Sequence, residues 1–118
     1  MRSSQSPQLR WRMYSTATGS EPVKEFLDQL SAVDHAVVIA GMREVQRDGL
    51  VAARHIAGDI YEVRATRMNR HFRILFALEG KRILLALDAY NKDTPKMPLA
   101  ILRRAERRLR DWRSRGHR

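Results

Sequence analysis

Two arginines in the middle of the chain are spaced so that a β-hairpin would place them side by side. Residues 60–76, IYEVRATRMNRHFRILF, alternate apolar and polar side chains on both sides of a central turn. Strand side chains point alternately to opposite faces, so the apolar set faces a core while Arg64 and Arg73 share the other face. Glu62 and His71 are expected near them. Two parallel guanidinium groups on neighbouring strands form a cradle the size of a phosphate.

The turn of this hairpin adds positive charge. It contains Arg67 and Arg70, and residues 65–78 include no acidic side chain. We therefore expect Arg67, Arg70 and His71 to contact a polyanion such as RNA. The alternative is a solvated sheet face on which the strand arginines simply pair with the neighbouring carboxylate.

A second candidate cluster, YNKDTPK at residues 90–96, follows a predicted buried strand. The ends of such strands commonly carry functional side chains on a rigid scaffold. Tyr90 is of a type that stacks on RNA bases, and Lys92 and Lys96 are of a type that holds phosphates. The alternative is an ordinary loop before a helix with solvated lysines.

The predicted C-terminal helix is the third basic feature. Only Glu106 and Asp111 oppose the five arginines on its polar faces. Such a run follows a nucleic-acid backbone, binds an acidic protein or is simply solvated. We expect Arg103 and Arg107 to point outward and to contact RNA. The five arginines are Arg103, Arg104, Arg107, Arg108 and Arg110.

Composition supports a polyanionic partner. The 118 residues include 23 Lys and Arg against 13 Asp and Glu, a formal net charge of +10. This charge indicates RNA, DNA or an acidic protein. The absence of cysteine excludes a disulfide framework, a thiolate metal site and a cysteine nucleophile. The four histidines are scattered, so we expect neither a metal site nor a cofactor.

No apolar run approaches the roughly 20 residues that span a bilayer, which predicts a cytoplasmic protein without membrane contact. We expect residues 1–8 to form a flexible lead, 9–113 a single domain and 114–118 a basic tail.

Periodicity predicts an α+β fold in the order strand, helix, helix, three strands, helix. Ser20 is the expected cap of the first helix, with Pro22 in its first turn, and Gly49 is the expected stop of the second. The predicted strands are residues 9–14, 59–66, 71–78 and 82–90, and the later helices are 32–48 and 98–113.

Several short motifs, taken in their order and spacing, resemble the HigB-like, phage-derived branch of the RelE/ParE toxin superfamily. They are GSEPVKEFLDQL (Gly19–Leu30), IYEVR (Ile60–Arg64), FRILF (Phe72–Phe76), AYNKDTPKMP (Ala89–Pro98) and the region Ala105–Arg108.

The resemblance implies a curved antiparallel sheet flanked by helices and a type II toxin that cleaves messenger RNA without a metal, often on the ribosome. It implies a HigA-like antitoxin with a helix-turn-helix domain, bound in a toxin–antitoxin hetero-oligomer. Arg64 and Arg73 match the branch's strand arginines. Lys92 and Lys96 match lysines of its loop before the last helix.

Metal-independent cleavage uses the RNA's own 2′-OH as nucleophile, so the protein must neutralise charge on the phosphate and move protons. We therefore expect Arg64, Arg73, Tyr90 and Lys92 to be the catalytic residues. Arginines supply charge but are poor bases. Glu62, His71, Tyr90 or a lysine must take the proton, and Glu62 is alternatively an orienting residue for Arg64. Two other functions remain open: a ParE-like or degenerate toxin that acts by binding protein, and a plain nucleic-acid-binding module.

Overall fold

The structure, a computed structural model, describes residues 8–92 and 97–116. These residues contain five strands, three α-helices and a 3₁₀ helix. Their content and order confirm the predicted α+β class. The strands are β1 (Arg10–Met13), β2 (Arg54–Ala57), β3 (Ile60–Arg67), β4 (Arg70–Glu79) and β5 (Ile83–Asn91). The helices are α1 (Pro22–Asp28), α2 (Ala32–Asp48), the 3₁₀ helix (Gly49–Ala52) and α3 (Leu99–Ser114).

The strands form one sheet in the order β1-β5-β4-β3-β2. Strands β2 to β5 pair antiparallel, whereas β1 pairs with β5 in parallel. The sheet is thus antiparallel, as expected, except at this edge. The helices and strands between β1 and β5 provide the long crossover that parallel pairing requires.

Helices cover both faces of the sheet, which explains why β5 is apolar at nearly every position. On one face, α1 and α2 contribute to a core of Val23, Leu27, Val38, Met42, Val45, Val63, Phe72, Ile74 and Phe76. On the other face, which we call the α3 face, the core contains Ile60, Leu75, Leu85, Leu87, Ala105, Leu109 and Trp112.

The ends of α2 follow from local chemistry, and its predicted bounds are confirmed. The Ser31 hydroxyl accepts a hydrogen bond from the backbone N–H of Asp34 at 3.1 Å, which satisfies one of the helix's free N-terminal donors. Gly49 ends the helix with φ of 82°, a conformation that favours glycine.

Helix α1 begins at Pro22, within the predicted first turn, but its N-cap is Glu21. The prediction that Ser20 caps this helix is therefore wrong. The Ser20 hydroxyl instead donates to Glu25 at 2.8 Å, an exposed side-chain contact beside the helix.

Strand β2 was not predicted, so four strands rather than three follow α2. It pairs antiparallel with β3 across the turn at Gly58 and Asp59, and Gly58 has φ of 52°. His55 lies in this strand. The pairing also places Arg54 opposite Glu62.

A β-bulge in β5 changes which side chains face α3. Leu75 pairs with Asp88 and Phe76 with Ala86, so Leu87 has no cross-strand partner. The extra residue reverses the alternation of faces beyond it. As a result Asp88 and Tyr90 lie on the α3 face, next to the polar side chains of β3 and β4.

Helix α3 ends at Ser114, one residue beyond its predicted end, so the predicted tail begins within the helix. Gln8 is the one residue of the predicted flexible N-terminal segment that the structure describes. Residues 117–118 of the predicted tail lie outside the described residues. Lys96 also lies outside them. No described helix is long and apolar enough to cross a membrane. Residues 8–92 and 97–116 also include no group of three or more side chains suited to holding a metal ion.

Candidate active site

A row of three polar side chains crosses the centre of the sheet on the α3 face. Arg64 of β3 pairs in register with Arg73 of β4, and Arg73 pairs with Tyr90 of β5. Strand alternation sets the first two on this face, and the bulge in β5 brings Tyr90 to the same side. The structure therefore brings together three of the four residues that the sequence analysis named as catalytic.

A buried carboxylate lies beneath this row. Glu62 is 2% exposed, and its Oε1 accepts a hydrogen bond from Arg64 Nε at 3.1 Å. Arg73 Nε lies 3.7 Å from the same oxygen, and the Tyr90 hydroxyl donates to Oε2 at 3.5 Å. Glu62 thus holds each member of the row by a hydrogen bond or an ion pair.

The pKa of Glu62 reflects both its burial and its cationic neighbours. Burial raises this pKa, because desolvation disfavours the charged form. The positive charges of Arg73, Lys92 and Arg54 act in the opposite direction. Lys92, the fourth residue named as catalytic, is therefore close enough to act on the same carboxylate.

Arg54 is a member of this cluster that the sequence analysis missed. It faces Glu62 across the β2–β3 pair, and its side chain is exposed. The available signal was the Gly58-Asp59 dipeptide, a two-residue turn that would have indicated a hairpin and hence strand β2.

The two central arginines differ in exposure. The side chain of Arg64 is 44% exposed, whereas that of Arg73 is 9% exposed. Arg73 NH1 donates to the carbonyl of Phe72 at 3.0 Å, and its Nε makes no hydrogen bond among the described residues. Arg64 therefore faces solvent, whereas Arg73 lies buried beside it against the same carboxylate.

Tyr90 is also mostly enclosed. Its hydroxyl donates to the Met97 sulfur at 3.3 Å as well as to Glu62. Burial and the nearby negative charge of Glu62 raise the pKa of Tyr90 to about 12. The phenol is consequently a proton donor at neutral pH, and its ring is buried rather than open for stacking on a base.

The arginines of the hairpin turn lie on the opposite face, against α2. Arg67 Nε is 3.5 Å from Oδ1 of the buried Asp34, and Arg70 NH1 donates to its Oδ2. They are therefore separated from the Arg64 row. His71 is exposed, and its Nδ1 lies 3.4 Å from the Thr66 hydroxyl. Its carbonyl accepts a hydrogen bond from the Lys92 backbone N–H at 2.7 Å.

The six arginines of α3 divide into a bound set and an outward set. Arg113 belongs to the bound set, because its NH2 donates to Glu79 of β4 at 2.7 Å. Arg104 binds Asp88 through two hydrogen bonds of 2.6 and 2.9 Å, and Arg108 donates to the Leu87 carbonyl at 2.8 Å. These two fasten the helix to β5. The outward set, exposed and without an ion-pair partner among the described residues, is Arg103, Arg107 and Arg110.

This arrangement is suited to binding a phosphate group. Cations surround a buried carboxylate that binds Arg64 directly, and a phenolic donor lies behind them. The cations at the rim are the exposed Arg54 and Arg64 and the half-buried Lys92.

Comparison with known proteins gives a consistent relationship. The sequence matches the family described as phage derived protein Gp49-like (DUF891) over residues 25–110. It is 33% identical over 107 residues to the probable endoribonuclease HigB1 of Mycobacterium tuberculosis strain CDC 1551 / Oshkosh, covering 87% of this chain and 84% of the relative. HigB1 of strain ATCC 25618 / H37Rv matches to the same extent. The matched residues 25–110 contain the whole Arg64 row.

Proposed function

The chain belongs to the Gp49-like family, the phage-derived, HigB-like branch of the RelE/ParE toxins, and from that premise we propose that it is the toxin of a type II toxin–antitoxin system and cleaves messenger RNA without a metal ion. The observation that carries the proposal is the Arg64–Arg73–Tyr90 row over a buried Glu62. It supplies fixed positive charge where a phosphate can approach.

In the proposed reaction the 2′-oxygen of the RNA attacks the adjacent phosphorus and loses its proton, and the 5′-oxygen leaves and gains one. The products are a 2′,3′-cyclic phosphate and a 5′-hydroxyl. Arg64, Lys92 and Arg54 neutralise the charge that builds up on the phosphate oxygens. Arg73 and Glu62 keep Arg64 in place.

Exposure distinguishes the candidate bases. Glu62 is buried, and Tyr90 keeps its proton at neutral pH, so neither is suited to accept a proton from the 2′-OH. Alternation places the exposed His71 on the α3 face, two residues along β4 from Arg73, and a ring nitrogen of neutral imidazole can accept a proton. We assign the general-base role to His71.

The test is cleavage of RNA by the purified protein in the presence and absence of a chelator. We expect cleavage in both, and a loss of about 10²- to 10³-fold for Arg64→Ala, as when one preorganised donor is removed. Arg43→Ala is the matched control, because Arg43 is exposed on α2, away from the row. Wild-type cleavage by folded Arg64→Ala would contradict the assignment of this residue. Toxicity without RNA cleavage would favour a toxin that acts by binding protein.

We also propose that a HigA-like helix-turn-helix antitoxin neutralises the toxin in a hetero-oligomer, and that the RNA is cut on the ribosome. The outward arginines of α3, Arg103, Arg107 and Arg110, support this proposal because they form an unpaired basic face among the described residues. An acidic antitoxin segment would find complementary charge there.

A further inference from the structure

A polar pocket of about 650 Å³ opens on the face of the sheet opposite the Arg64 row. It lies between the α1–α2 junction, the β3–β4 turn and the end of β5. We call it the junction pocket and define it by Gln29, Asp34, Asn69, Arg70 and Asn91. None of these five residues belongs to the Arg64 row or to the cations at its rim, but His71, the proposed general base, also lines the pocket.

A buried carboxylate at this pocket pairs with two arginines. Asp34 is 2% exposed, and its Oδ1 lies 3.5 Å from Arg67 Nε, an ion pair without a hydrogen bond. Its Oδ2 accepts from Arg70 NH1, and the Arg70 side chain is 59% exposed. Asp34 therefore anchors Arg70 at the pocket wall while most of the guanidinium remains open to a ligand.

Three side-chain amides supply neutral hydrogen-bonding groups. Gln29, Asn69 and Asn91 are exposed, and their side chains make no hydrogen bond with other described residues. Each amide offers two donor hydrogens and an acceptor oxygen. Leu30 and the buried Phe72 add apolar surface to the lining.

The junction pocket adjoins the candidate active site around the end of two strands. Asn91 pairs in register with Phe72, immediately beside the pairing of Tyr90 with Arg73. Alternation places the Asn91 side chain on the pocket face and that of Tyr90 on the α3 face.

We propose that the junction pocket binds the nucleobase next to the phosphate that is cut. This inference rests on the proposed RNA cleavage and adds base selectivity to it. Single-stranded RNA is read by proteins that stack a base on an arginine plane and bind its edge with polar side chains. Arg70 offers the plane, and the three amides offer the edge contacts. A bare phosphate fits less well, because it would leave the three amides and the apolar surface of Leu30 and Phe72 without contacts.

The direct test is an NMR titration of the protein with ribonucleoside 5′-monophosphates and, separately, with ribose 5-phosphate, which lacks a base. We expect the side-chain amide signals of Asn69 and Asn91 to shift with at least one nucleotide and not with ribose 5-phosphate. Shifts confined to Arg64 and its neighbours, or equal shifts with both ligands, would overturn the proposal.

Asn91→Ala should weaken binding of the preferred nucleotide about fivefold, the loss expected for one hydrogen bond. Gln29→Ala serves as a second variant. Gln8→Ala is the matched control, since Gln8 is an exposed amide outside the pocket and should leave affinity unchanged. Equal affinity of the wild type and both pocket variants would contradict the proposal.

The titration does not require catalysis, so the two proposals fail separately. Nucleotide binding at Asn69 and Asn91 by a protein that cuts no RNA would support the pocket and contradict the nuclease. RNA cleavage with no nucleotide shift at these amides would contradict the pocket alone. In an active protein, we expect Asn91→Ala to alter the base preference beside the cut.

Discussion

Replacing Glu62 with glutamine distinguishes a residue that positions Arg64 from one that takes a proton itself. The carboxylate is 2% exposed, and it accepts a hydrogen bond from Arg64 Nε at 3.1 Å. RNA cannot approach a carboxylate with so little exposed surface, so we expect Glu62 to act through Arg64. Glutamine preserves the shape and one acceptor oxygen, but it removes the charge that holds the guanidinium.

The expected loss of cleavage rate for Glu62→Gln follows from the exposure of the Arg64 side chain. A hydrogen bond to a charged group contributes about 1.5–3 kcal/mol. Since the Arg64 side chain is 44% exposed, solvent screening places its contact with Glu62 at or just below the lower end of that range. About 1.4 kcal/mol corresponds to a tenfold loss of rate for Glu62→Gln. Arg64→Ala removes the charge itself, and its expected loss is about 10²- to 10³-fold.

The assay is a double-mutant cycle on single-turnover cleavage of an RNA oligonucleotide. If Glu62 acts only through Arg64, adding Glu62→Gln to Arg64→Ala costs no further activity. A double variant about tenfold slower than Arg64→Ala would refute this reasoning, because Glu62 would then contribute independently, as a general base does. Thermal unfolding of all four proteins controls for loss of fold.

The pH dependence of stability tests the same carboxylate by another route. Burial raises the pKa of Glu62 above its ordinary value of 4.5, despite the charges of Arg73 and Lys92. The fold thus binds this proton more tightly than the unfolded chain does. Its contribution to stability is complete below the ordinary value and is lost as the pH rises through the folded pKa. From urea titrations, we expect the free energy of unfolding of the wild type to fall relative to that of Glu62→Gln as the pH rises toward neutrality; a constant difference would contradict the burial argument.

Three further changes have expected outcomes. Asp88→Asn should lower the free energy of unfolding by about 2 kcal/mol, because it weakens the charged pair with Arg104; an unchanged urea midpoint would show that α3 does not depend on this contact. Met68→Gly should raise the free energy of unfolding by about 0.5–1 kcal/mol, since Met68 has φ of 56° in the turn between β3 and β4; equal or lower stability would count against strain there. Reversing Arg103 and Arg107 to Glu should slow antitoxin association measured by stopped flow more than it slows RNA cleavage by free toxin; lost cleavage with unchanged capture would place α3 in the RNA site.

The hairpin of β3 and β4 was predictable because its two faces are chemically distinct. Apolar side chains at every second position fixed the side of Val63 and Phe72, and therefore also the side of Arg64 and Arg73. The end of helix α2 was equally predictable, because Gly49 is a residue type that ends helices. The α+β class and the pairing of the two arginines required no knowledge of long-range contacts.

The partners of the arginines were not predictable in the same way. Residues 65–78 contain no acid, so the hairpin sequence suggested uncompensated charge. The compensating carboxylate for Arg67 and Arg70 is Asp34, which lies more than thirty residues earlier, in the first turn of α2. Only the packing of α2 on the sheet brings these groups together.

The site itself depends on one extra residue in β5. With strict alternation, Leu85 and Leu87 on the α3 face would place Asp88 and Tyr90 on the other face, among the apolar residues under α2. The bulge at Leu87 reverses that order, so Tyr90 reaches Glu62 and Asp88 reaches α3. A strand that is apolar at nearly every position gives no pattern from which such a shift could be inferred. The same shift directs Asn91 to the junction pocket, so a single bulge places one neighbour at the Arg64 row and the next at the proposed base site.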